Sequence, residues 1–137
     1  MNQKLYYLLI FKITLTLAMW CIPLMLFPAE LLEWLGFPSI EPSLFSKLLG
    51  MAYLALVVGY TFGLLAVRNG ETPINTIWVG IVSNGGAAII LGFYGLQGAW
   101  SEWGWFAQLH MWLSFIGVTI ITFGLFIFGL FNKANNR

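Results

Sequence analysis

Four short stretches carry polar side chains inside otherwise apolar surroundings, and these are the residues able to do chemistry. Lys12 lies in "YLLIFKITLTLA", Tyr60 and Thr61 in "VVGYTFGLL", Asn84 in "IVSNGGAA" and Thr119 in "IGVTIITFG". An ammonium and an amide placed in hydrocarbon require partners, since the medium supplies none. The chemistry they offer is recognition: an anionic or carbonyl-bearing group set between Lys12, Tyr60, Thr61, Asn84 and Thr119. Catalytic arrangements are missing from the sequence. There is no nucleophile elbow, no phosphate-binding loop, no histidine pair and no cysteine pair, so no catalytic residue is assigned. His110 is the only histidine. With Glu102, or with Glu30 and Glu33, it is the nearest approach to a metal-binding set, but nothing in its spacing resembles a ligand motif. No metal is expected, and His110 is expected to bond to Gln108, a loop carbonyl or water.

Composition defines the elements that must position these groups. Of 137 residues, 60% are hydrophobic, 18% aromatic and only 8% charged, and the mean hydropathy is +0.86. Soluble domains carry about a quarter charged residues, so the chain reads as an integral membrane protein. A net charge of +1 without basic clusters excludes a nucleic-acid partner. The lone Cys21 excludes an intrachain disulfide.

Four apolar runs are each long enough to cross a bilayer: about 5–27, 48–67, 74–96 and 106–131. Their apolar residues are continuous rather than alternating, which excludes a barrel of strands. The expected fold is all-α, a single four-helix transmembrane bundle over 1–137. The first run has a signal-like lysine, Lys4, ahead of it. Trp20 before Cys21 and the lack of a small-x-small site identify it instead as a retained span.

Charge sets the expected threading. Lys4, Arg68, Lys133 and Arg137 fall on one side of a four-span bundle, and Glu30, Glu33, Glu41 and Glu102 on the other; Lys47 and Glu71 run against the pattern. The positive-inside rule then puts both termini in the cytoplasm, in a bacterial inner membrane. The opposite face is rich in tryptophan. Trp34 in the 28–47 loop and Trp100, Trp103 and Trp105 before the last run are expected to form an interfacial belt or a partner-docking surface. A short amphipathic helix around "AELLEWLGF" is expected to lie on the membrane there.

Counting about 1.5 Å per residue from Ile74 puts Asn84 roughly 15 Å deep, near the bilayer midplane. Gly80, Ser83, Asn84, Ala87 and Leu91 recur at spacings of three and four on the same helix. Gly59, Gly63, Gly80, Ser83, Gly85 and Gly86 are therefore expected at helix contacts, where small residues let backbones approach and a polar group bonds across. Ser114, Gly117 and Gly124 outline a similar smooth face on the fourth run. Lys12 lies about 10 Å into its helix. It either snorkels to the headgroups or joins the polar cluster.

The succession "LFPAELLEWLGFP", "LLGMAYLALVVGYTFGLLAVR" and "IWVGIVSNGGAAIILGFYGL", Phe27 to Leu96, resembles small four-helix bacterial inner-membrane proteins of the DoxX-like group. Lys47 occupies the place of a basic residue that precedes the glycine-rich second helix there, whereas Asn84 stands where the third helix often carries a basic residue. The resemblance implies an accessory role beside membrane-bound, quinone-dependent enzymes. The expected function is thus a non-catalytic accessory or scaffold subunit, in contact with lipids and with other membrane subunits or a second copy. The alternative is a binding or transport protein for a small lipophilic molecule, a quinone or a lipid, held between the helices.

Overall fold

The computed structural model describes residues 2–39 and 43–131. Glu41, Lys133 and Arg137, used above to orient the chain, lie outside the described residues. Four helices are long and apolar enough to cross a membrane: α1 (Gln3–Leu26), α3 (Ser43–Arg68), α4 (Ile74–Leu96) and α5 (Trp105–Phe131). A short helix, α2 (Ala29–Trp34), follows α1. The second span starts five residues before the expected 48, so Lys47 sits inside the first turns of α3 and the loop before it is shorter than expected. Neither Leu44 nor Phe45 breaks a helix, and apolar periodicity alone does not mark where such a helix begins.

Each turn has an identifiable cause. Helix α2 ends at Gly36, whose φ of 89° suits a residue without Cβ. The Phe37 N–H donates to the Leu32 carbonyl and the Gly36 N–H to the Glu33 carbonyl, so the last carbonyls are satisfied. Gly70 and Gly98, also at positive φ, end α3 and α4 in the same way. Gly36 has a second use, because a Cβ there would lie 2.5 Å from the Gly104 Cα. That close approach allows the Gly104 N–H to donate to the Gly36 carbonyl at 2.9 Å, tying the first loop to the start of α5.

Helix α1 is not regular throughout. Over Leu17–Cys21 it widens to a π turn, in which the Ile22 N–H donates to the Leu17 carbonyl. Pro23 follows two residues later. Proline lacks an N–H and its ring collides with the carbonyl four residues back, and the widened turn relieves that collision. Trp20 lies inside this turn.

The helices run alternately up and down, with α1 packed on α3 and α5, and α4 packed closely on α5. Leu5, Leu9, Tyr60, Val67, Ile77, Ile121 and Leu125 form one buried cluster. These residues come from the start of α1 and α4 and the later parts of α3 and α5, so the solid core fills the half of the bundle nearest the first residue. The face expected on α5 is used here: Ser114, Gly117 and Gly124 are buried, and the two glycines meet Leu15 and Leu8 of α1. The other half of the bundle is less densely filled and holds two spaces between the helices.

Candidate ligand site between the helices

Along α1 the buried positions after Asn2 run Leu5, Leu9, Lys12 and Thr16, at steps of four, three and four. That spacing is one helix face, and it turns inward. Lys12 therefore enters the bundle rather than snorkelling outward, with only 7% of its surface exposed. Its Nζ sits 5.3 Å from the centre of the Tyr60 ring, within range of a cation–π contact. Among the described residues it has no ion-pair or hydrogen-bond partner. No span contains an acidic residue either, as all five glutamates lie outside the four helices and the chain has no aspartate.

Asn84 is 1% exposed and is held by its own helix: Nδ2 donates to the Gly80 carbonyl at 2.7 Å. The same Nδ2 lies 3.4 Å from the Tyr60 hydroxyl and from Ser83 Oγ. Tyr60 Oη and Ser83 Oγ share a hydrogen bond of 2.8 Å, joining α3 to α4. Gly80 makes room for Leu125, since a Cβ there would lie 2.5 Å from Leu125 Cδ1, and it sits at ordinary contact distance from the Tyr60 ring. With Nδ2 committed in this way, the amide oxygen of Asn84 is left to accept.

All four long helices contribute to a chamber of about 70 Å³ in which Lys12, Tyr53, Ser83, Asn84 and Ser114 meet among Leu15, Leu56, Ala87, Leu91 and Val118; it is the more polar of the two spaces between the helices. Ser114 and Thr16 turn their hydroxyl protons back onto the His110 and Lys12 carbonyls, each at 2.8 Å. The lysine ammonium and the tyrosine hydroxyl of Tyr53 are the donors left for an incoming group. A second space, of about 590 Å³, lies further along α1 and is lined almost wholly by carbon: Met19, Leu24, Phe27, Leu35, Phe106 and Leu113 are in its wall. Trp20 borders both spaces. Its indole stacks on Tyr53 at 5.5 Å and meets the His110 ring edge-on at 5.2 Å.

Of the five residues expected at a ligand site, the structure brings together Lys12, Tyr60 and Asn84. Thr61 does not join them; it is exposed on the outside of α3 and bonds to the Val57 carbonyl at 2.9 Å. Thr119 is half-buried, bonds to the Phe115 carbonyl at 2.7 Å and lies away from the chamber. Both threonines satisfy their hydroxyls within their own helix, an option that height along the bundle does not reveal. Tyr53 and Trp20 were missed, and Ser114 was expected on a packing face rather than at the site. The available signal was the four-residue step from Lys12 to Thr16 to Trp20, and from His110 to Ser114.

The packing residues divide similarly. Gly63 meets Thr76 and Gly80 meets Leu125, while Gly85 makes ordinary contact with Thr122, and Gly59 and Gly86 have nothing within 4 Å. The Gly59–Gly63 pair is therefore not one contact face, since Gly59 is on the exposed side of α3. Of the tryptophans, Trp34 and Trp105 point outward with 81% and 76% exposure. Trp103 pairs with Phe37 beside the apolar space. Trp100 departs from the expected belt. It is only 4% exposed and packs on Gly95 and Trp112, so it takes no part in an outer docking surface.

His110 is not bonded to Gln108, whose Nε2 instead donates to the Ser101 and Trp103 carbonyls at 3.0 and 2.8 Å. The imidazole is enclosed by Trp20, Phe37 and Phe106, and Glu102 is exposed in the loop before α5. No three His, Cys, Asp or Glu side chains converge among the described residues. Comparison with protein-family models, with curated proteins and with solved structures finds no match to the chain. The reading of the site therefore rests on its geometry.

Proposed function

We propose that this chain is a membrane-embedded binding protein for a small lipophilic molecule whose polar head carries negative charge or a carbonyl group. One observation carries the reading: the buried Lys12 ammonium faces a chamber, with no carboxylate in any span to neutralise it. A charge in this position is costly, and a ligand that meets it offsets the cost. The Tyr53 hydroxyl adds a second donor to the same chamber, suited to a head group that only accepts. The accessory-subunit reading draws on the outward Trp34 and Trp105, but the burial of Trp100 reduces the surface it relies on.

The basic residues favour an orientation with both termini in the cytoplasm of a bacterial inner membrane, and the apolar space then lies in the outer half of the bundle. A cysteine introduced at the exposed Ser101 in a Cys21→Ala background should be labelled from outside the cell. Labelling only from the cytoplasm reverses the orientation.

Native mass spectrometry of protein extracted gently from its own membrane tests the binding function. The expected spectrum contains a discrete small-molecule adduct that is lost in both Lys12→Met and Asn84→Leu, with the helical bundle intact by circular dichroism. A bare chain in the unaltered protein, or an adduct indifferent to both changes, overturns the proposal.

A further inference from the structure

The two chambers lie end to end along the same pair of helices. On α1 the polar chamber is bordered by Lys12 and Thr16 and the apolar one by Met19, Pro23 and Phe27; on α5 the order is Phe106, Leu109 and His110, then Ser114 and Val118. Trp20 is the one α1 side chain bordering both, with its indole lodged between Tyr53 and His110. The indole stands between the two spaces, so a molecule occupying both must displace it or lie against it.

Size then selects the chemistry. A cavity of about 150 Å³ holds benzene, a six-carbon ring. The polar chamber, about 70 Å³, is half of that and takes roughly three heavy atoms. That is the size of a carboxylate and too small for a quinone ring or a glycerophosphate. The apolar space, about 590 Å³, is about four such cavities and accommodates a single long hydrocarbon chain. Charge agrees with size, since one ammonium without a counter-ion matches one negative charge. We infer that the ligand is a single-chain amphiphile with a monoanionic carboxylate head at Lys12 and its alkyl chain in the space bordered by Met19, Phe27 and Phe106. This rests on the binding reading above and specifies the class of ligand.

The probe is palmitate, titrated calorimetrically into the full chain in nanodiscs of zwitterionic lipid, with hexadecanol, butyrate and phosphatidylglycerol as comparisons. Saturable palmitate binding is expected, weakened about tenfold or more in hexadecanol and in the Lys12→Met protein, where the charged hydrogen bond is lost. Ala18→Phe and Leu109→Trp, two separate fillings of the apolar space, should each weaken palmitate and leave butyrate unaffected. Equal binding of butyrate and palmitate, or indifference to both fillings, removes the chain from the apolar space and overturns the inference while the head-group reading stands. Displacement of palmitate by phosphatidylglycerol at equal concentration overturns the single-chain assignment. If none of the probes binds, the inference fails, and persistence of a Lys12-dependent adduct from the native membrane decides that the binding function itself survives.

Discussion

The ammonium of Lys12 on α1 stands 5.3 Å from the centre of the Tyr60 ring on α3, and the hydroxyl of that same tyrosine is 2.8 Å from Ser83 on α4. Tyr60 thus has two separable functions. Its ring face receives a buried cation, and its hydroxyl ties α3 to α4 within the buried core.

Tyr60→Phe separates them. The ring stays under Lys12 while the bonds to Ser83 and Asn84 go, so unfolding in detergent should come earlier by about 1 kcal/mol. Tyr60→Leu, which also removes the ring face, should cost more, by about a further 0.5–2 kcal/mol. Equal losses in the two variants would mean that the cation gains nothing from the ring.

Lys12→Met removes an unneutralised buried charge and keeps the side chain's length. The ligand-free protein should become more resistant to thermal unfolding, by about 1 kcal/mol or more, because the desolvation cost disappears. The same variant should lose any stabilisation that ligand confers on the unaltered protein. A drop in melting temperature without ligand would indicate that the ammonium supports the fold.

Gly63 and Gly59 are four residues apart on α3 but meet different surroundings. A Cβ at Gly63 would lie 2.5 Å from Thr76 Cγ2, whereas one at Gly59 would meet nothing within 4 Å. Gly63→Ala should cost about 1–3 kcal/mol through overpacking, with recovery when Thr76→Ala is added. Gly59→Ala should stay within about 0.5 kcal/mol of the parent. Denaturation in mixed micelles reads both; a cost at Gly59 equal to that at Gly63 would put a partner helix on the outer face of α3.

The tryptophans give the clearest contrast between position in sequence and position in space. Trp100→Ala empties the contact with Gly95 and Trp112 and should cost about 3–5 kcal/mol. Trp34→Ala, on the outward side of α2, should leave the unfolding midpoint unchanged. Similar midpoints for the two variants would contradict the burial of Trp100.

Four apolar runs, each long enough for a bilayer crossing and with no acidic residue in any of them, were legible from the sequence as four helices able to cross a membrane. Asn84 and Lys12 stood out too, as polar groups cannot be left unpartnered in hydrocarbon. Which way each helix faces was decided only by the tertiary structure. In lipid the outward positions are as apolar as the inward ones, so the pattern of Leu5, Leu9, Lys12 and Thr16 carries no label distinguishing inside from outside. Thr61 and Gly59 therefore looked equivalent to Tyr60 and Gly63, one residue or one turn away, and packing assigned them to opposite faces. Trp100 joined the core through the close approach of Gly95, a long-range contact with no local signature. The two chambers likewise exist only where several helices leave space between them, and volume is a property of that assembly rather than of any one stretch of chain.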